Sequence, residues 1–163
     1  MKEILVQYAA YNLWANLRMT DVLLQLPEEM QQQKIISSFP SIELTLLHLM
    51  NVESIWWQRM KLVENIHIIE ASTFTVTQIS QKILDASTQW KEWVDKSTTA
   101  AFEHEFVYRN SKKEQFKQPV FQMLLHLFNH QTYHRGQIVT MFKQLGVDKI
   151  PPTDFIEWSR GKK

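Results

Sequence analysis

PVFQMLLHLFNHQTYHRGQIVTMFKQLG, residues 119–146, is the stretch whose reading decides the fold. Proline opens it and glycine closes it, the asymmetry expected of a helix that starts at one and is capped by the other. Projected at about 100° per residue, Met123, Leu127, His130, His134, Ile138, Met141 and Leu145 fall in one narrow stripe. The spacing therefore predicts a long amphipathic helix from near Pro119 to Leu145, with Gly146 as its C-cap. His126, His130 and His134 are four residues apart, but they are not equivalent. His126 falls roughly 80° and Gln137 roughly 60° from the centre of the stripe, so both are shoulder positions. His130 and His134 occupy the seam that faces the core.

Working outward, three further stretches carry the same periodicity. The first runs from about Lys2 to Leu26, with Leu5, Tyr8, Leu13, Leu17, Val22 and Leu24 at helical spacing. A polar connector, PEEMQQQKIISSF, leads to Pro40, placed in the first turn of a second helix over about Ser41 to Val63. Thr75, with Gln78 three residues on, reads as a capping box opening a third helix to about Lys96. Between the third and fourth helices, Phe102, His104, Phe106 and Tyr108 alternate with other residues and Asn110-Ser111-Lys112 reads as a turn, so a short β-hairpin is expected there. The end of the chain reads as a loop, one helical turn around Asp154–Ser159 and a basic tail. Only 3 glycines and 5 prolines occur, which favours long helices over a turn-rich β fold.

Four long helices in 163 residues imply an all-α, four-helix bundle forming one domain over residues 1–163. The connector from about Glu64 to Phe74 reaches roughly 35 Å when extended, enough to cross a bundle and leave the second and third helices parallel. Hydrophobic residues at 44% and charged residues at 21% are those of a folded globular chain. Lys and Arg (18) balance Asp and Glu (17), which gives no reason to expect nucleic acid or an anionic membrane as partner. The N-terminal helix is interrupted by Glu3, Gln7, Asn12, Asn16 and Arg18 and lacks the unbroken apolar region expected of a signal peptide, and no apolar run has the length of a membrane span. With no cysteine, thiolate metal sites, disulfides and a catalytic Cys are excluded, and a cytoplasmic location is expected.

A buried imidazole needs a polar partner, because an unpaired polar group in a core is costly. Two imidazoles at i and i+4 can grip one divalent cation from a single helical face. Side chains or water satisfying each ring separately is the alternative. On the second helix, Ser41, Leu44, His48, Val52, Ile55 and Leu62 share an apolar stripe, so His48 also points inward. His48, His130 and His134 together make a three-histidine site. His67, in the connector, and His104, in the expected hairpin, read as surface residues. Glu53 lies about 140° around the helix from His48 and faces elsewhere, so no carboxylate base is evident beside the site.

The runs NHQTYHRGQ, LLHLMNVESIWWQRM and YNLWANLRM, the spacing from His48 to the HxxxHRGQ block and the closing GVDKIPPTDF resemble the DinB/YfiT-like family. The likeness spans essentially the whole chain. It implies a bundle with up-down-down-up connections and a divalent metal held by three histidines, which here are His48, His130 and His134; His126 is not among the family's usual ligands. It also implies a homodimer and a small-molecule substrate. Better-known relatives of the fold transfer low-molecular-weight thiols or isomerise thiol adducts. The family's name refers to induction by DNA damage, which is regulation and not evidence of DNA binding.

Three neutral imidazoles leave a divalent ion, zinc or nickel first, with its full charge and an open position. A metal-dependent transferase using a small thiol is the leading expectation. A hydrolase using metal-activated water and a non-catalytic metal- or ligand-binding stress protein are the alternatives. Asn51, Asn129 and Gln137 are candidates to orient the ligands. Arg135 is read as a salt-bridge partner or an anchor for an anionic substrate. Gly136 costs a helix about 1 kcal/mol against Ala and permits a close approach. Trp56 and Trp57 are read as packing residues or as the mouth of a pocket.

Overall fold

The computed structural model describes residues 1–161; Lys162 and Lys163, the end of the basic tail, lie outside them. The fold is all-α with one small antiparallel hairpin. Helix α1 spans Lys2–Leu23, α2 Glu28–Gln32, α3 Ile42–Met60, α4 Val76–Lys96, α5 Thr99–Glu103, α6 Val120–Gln144 and α7 Phe155–Arg160. Strands β1 (Glu105–Arg109) and β2 (Gln115–Pro119) pair with Tyr108 opposite Phe116. The four long helices α1, α3, α4 and α6 form a ring of packed neighbours, α1 and α3 each lying against both α4 and α6.

The local signals explain where these helices begin and end. Ser41 Oγ accepts from the Leu44 amide and opens α3. Pro40 therefore precedes the cap rather than sitting in the first turn. Thr75 and Gln78 satisfy each other's backbone amides in a full capping box. Helix α6 ends in a Schellman arrangement, with Gly146 at φ +78°, its amide on Lys143 O and that of Val147 on Phe142 O. Helix α3 closes the same way at Met60, short of the expected Val63, because Leu62 takes φ +56° and turns the chain.

Two other expectations are corrected. Phe102 is not on a strand: it lies in α5, which Thr98 caps, and His104 ends that helix, so the hairpin starts at Glu105. Helix α2, inside the stretch read as a connector, is held by Gln31, whose buried Nε2 donates to the carbonyls of Leu23 and Leu26.

Most of the core lies in two apolar clusters at opposite ends of the bundle, with a smaller third one of Tyr11, Ala15 and Trp158. Leu23, Ile42, Ile79 and Phe142 belong to one. Leu5, Trp90, Phe102 and Leu124 belong to the other. Asn12, Asn16, Glu53, Ser87 and Arg135, all buried, come from the middle of the four long helices. The inward face of α1 is accordingly built on Ala9, Asn12, Ala15, Asn16 and Met19, whereas Leu17 and Leu24, expected inside, are exposed.

Candidate metal centre

His48 projects from α3 and His130 and His134 from α6, and their nitrogens converge. His48 Nε2 lies 3.1 Å and His134 Nε2 3.2 Å from His130 Nε2. The ligand atoms of the three all fall within 4.8 Å of one another, a cluster capable of coordinating a metal ion. Burial pushes His48 and His130 down to about 4, and the neighbouring His134 adds to the effect in both. Burial lowers His134 too, against the hydrogen bond to Gln137, which acts upward. All three rings are therefore neutral near pH 7 and offer lone pairs.

The donor set can be tested against a cation. Gln137 Oε1 accepts at 2.7 Å from His134 Nδ1, and Gln137 Nε2 is committed to Ser38 Oγ, so the His134 proton sits on Nδ1 and its Nε2 carries a lone pair. A proton on His130 Nε2 serves one of its two neighbours well and leaves the other short of a donor. A divalent ion among the three takes up the lone pairs of all three Nε2 atoms, with His130 Nδ1 buried and without a partner on the far side of its ring. Nitrogens about 2.0–2.1 Å from zinc at the tetrahedral angle stand about 3.3 Å apart, close to the two spacings of 3.1 and 3.2 Å to His130. The residues present fit the group.

Neither α3 nor α6 presents these histidines at the centre of its buried face. On α3 that face runs through Ile42, Leu46, Leu49, Glu53 and Trp56; on α6 it runs through Leu124, Leu127, Gln131, Arg135 and Ile138. His48 and His130 are half-buried and His134 is buried at the edge, so the cluster sits where the α3–α6 seam meets solvent. That corrects the expectation of core-facing stripes. Phe39 completes the wall, its ring stacked at 4.3 Å on His48 and tilted at 5.7 Å on His134. Sequence reasoning passed over Phe39 and Ser38. The only signal was an aromatic residue just before Pro40 and the Ser41 cap.

The other candidates separate clearly. His126 is exposed, its ring 5.5 Å from Trp56 and 5.7 Å from His130, outside the cluster. His67 and His104 are exposed. Asn51 clamps the backbone of Ile69 rather than orienting His48. Trp57 packs edge-on against Trp90 at 4.9 Å.

Arg135 is neither a surface salt bridge nor exposed. It is 1% accessible, donating through Nη1 to Asn12 Oδ1 and Asn16 Oδ1 and through Nη2 to Thr132 Oγ1. Glu53 is fully buried and takes hydrogen bonds from Ser87 Oγ and Asn12 Nδ2, pointing away from the histidines into this layer. A cavity of about 690 Å³ lies between α1, α6 and the segment before α7, lined by Tyr8, Tyr11, Arg135, Gly136 and Phe155. None of the three histidines lines it.

With this geometry in place, comparison with known proteins identifies the lineage. The profile of the DinB family matches residues 1–162. The chain belongs to the DinB family. It is 28% identical to Protein DinB of Bacillus subtilis (strain 168) over 170 residues, covering 95% of this chain and 93% of that protein. A crystal structure of a DinB-like protein from Bacillus cereus ATCC 10987 superposes with a TM-score of 0.69 at 19% identity, covering 92% of this chain and 95% of that one. That second likeness speaks for the fold. No helix among the described residues is long and apolar enough to cross a membrane.

Proposed function

We propose that this DinB-family chain is a metal-dependent S-transferase that joins a low-molecular-weight thiol to a small electrophile. Its metal, zinc or nickel, would be held by His48, His130 and His134. The observation that carries the reading is the convergence of three neutral Nε2 donors at the edge of the α3–α6 seam. When bound, a divalent ion supplies Lewis acidity that lowers the pKa of a thiol or water beside it.

The chain's own residues do the rest. Gln137 fixes the tautomer and plane of His134, and Ser38 fixes Gln137. Phe39 covers one side of the cluster and excludes water there. In the net reaction a sulfur–carbon bond forms, the electrophile's leaving group departs with its electron pair, and the thiol proton passes to solvent. Lacking cysteine, the chain takes its sulfur from the substrate. Hydrolysis is the lesser alternative, because Glu53 is committed to Ser87 and Asn12 in the core and the candidate cluster contains no carboxylate. A non-catalytic metal- or ligand-binding stress protein is the other.

Several further readings belong to this proposal. Residues 1–163 make one domain whose long helices run up-down-down-up. Supporting this, one core cluster joins the C-terminal ends of α1 and α6 to the N-terminal ends of α3 and α4, and the other joins the opposite ends. Balanced charge supports a small-molecule partner over nucleic acid. A homodimer and a cytoplasmic location complete it.

The test is elemental analysis with turnover. Purified protein should hold about one divalent ion per chain. Activity with small thiols and electrophiles should vanish on chelation and in His130→Ala. Activity indifferent to both changes would sink the transferase reading. Metal content unchanged in His48→Ala would refute the ligand set.

A further inference from the structure

Arg59 lies in the last turn of α3, on the same helix as His48. Its Cζ sits 4.7 Å from the ring centre of Trp56 and 5.4 Å from that of Tyr108. The two rings meet edge-to-face at 4.9 Å, so the guanidinium rests against a rigid aromatic corner built by α3 and β1. Among the described residues it has no ion pair and no hydrogen bond, and its Nε is buried without a partner.

A cation half withdrawn from water and left without an anion is costly, and aromatic faces hold its plane without using its N–H groups. The free fork matches a carboxylate in a bidentate pair. The corner is also continuous with the metal centre. Trp56 meets His126 edge-to-face at 5.5 Å, and His126 lies 5.7 Å from His130. Arg59 is eleven residues beyond His48, about 16 Å along the helix axis. Its side chain leans back over Trp56, toward the site, which shortens that reach.

We propose that Arg59 recognises the carboxylate of the thiol substrate, whose sulfur lies at the His48–His130–His134 cluster and whose body runs along His126 and Trp56. The substrate class is thus a thiol with an anionic group roughly 10–15 Å from its sulfur. The inference rests on the thiol reading above, and the experiment separates the two. A purely structural Arg59, placed to complement the C-terminal end of the α3 dipole, is indifferent to ligand charge.

The probes are N-acetyl-Cys peptides extended by zero to about four glycines, which add about 3.3–3.6 Å each. Each is prepared as the free acid and as the C-terminal amide, and titrated calorimetrically into zinc-loaded full-length protein. Acid and amide bind alike at the shortest length. At about three glycines the acid binds about tenfold tighter, the worth of one charge-assisted pair. Arg59→Gln removes that advantage and leaves amide affinity unchanged. Arg59→Lys, which keeps a cation without the stacked fork, retains part of it and controls for folding. Equal binding of acid and amide at every length, or an acid advantage that survives in Arg59→Gln, overturns the role of Arg59 and leaves the thiol reading standing. No binding of either series to zinc-loaded wild type overturns the thiol reading, and this inference with it.

Discussion

Replacing Glu53 with glutamine removes one ionisable proton from the centre of the bundle and little else. Burial pushes the Glu53 carboxyl up from 4.5 to about 7, while hydrogen bonds from Ser87 and Asn12 and the charge of Arg135 act in the opposite direction. The folded chain therefore holds this proton more tightly than the unfolded chain. Its contribution to stability is fully present below about pH 4.5 and is lost as pH rises through about 7. A shift of that size corresponds to about 3 kcal/mol over the whole range, with roughly two-thirds of it between pH 5 and 7. The side chain is fully buried, so solvent does not screen the effect. The assay is urea denaturation of chelator-treated wild type and Glu53→Gln from about pH 5 to 8.5. The lowered histidines give a pH dependence of the opposite sign below about pH 6.5, but it is common to both proteins and cancels in their difference. The variant should gain about 2–3 kcal/mol on wild type as pH rises, whatever constant offset separates them. Parallel profiles would show that Glu53 titrates as an ordinary carboxyl and would refute the argument.

Gly136→Ala should stabilise the protein by up to about 1 kcal/mol, because a Cβ there meets nothing within 4 Å while the helix gains propensity. Thermal melting should register this as a rise of about 3 °C; a fall would mean the space beside Gly136 is filled. Gln137→Ala should weaken zinc binding by about 10–100-fold, since it frees the His134 ring. Competition with a chromophoric chelator measures this, and unchanged affinity would mean the 2.7 Å bond does not orient the ligand.

How much of this was legible in the sequence depends on what each signal measures. Helix ends were readable where a cap is unambiguous and local: Thr75 with Gln78, and Gly146, each act within a few residues, whereas Ser41, the cap of α3, was read as part of the helix because Pro40 was given the first turn. The histidine set was readable because i,i+4 spacing fixes two rings on one flank. Burial direction was less so. Apolar periodicity chose the Leu13–Leu17–Leu24 flank of α1, whereas Asn12 and Asn16 turn inward because their amides complete a layer with residues as distant as Ser87 and Arg135. A pattern that counts only apolar side chains cannot see such a face. The same blindness shifted the buried stripes of α3 and α6 toward the histidines and left Arg135 outside. Phe39 escaped notice because its role depends on how the chain before α3 folds back over α6, through the Ser38–Gln137 contact.

That polar layer bears on the site although it touches none of its three histidines. Apolar side chains tolerate a helix sliding or rotating slightly, but hydrogen bonds do not, because their energy falls steeply with distance and angle. Asn12 and Asn16 from α1, Glu53 from α3, Ser87 from α4 and Arg135 from α6 are bonded into one set, so each long helix is held at one depth and rotation. Glu53 lies five residues from His48, and Arg135 is the immediate neighbour of His134. Fixing the first pair sets the height of His48 on α3. Fixing the second sets the rotation that turns His130 and His134 to the seam rather than into the core. The step of about 100° between adjacent helical residues thus divides α6 by task. Arg135 anchors the helix inside the bundle, and His134 stands with His48 and His130 at the edge that meets solvent.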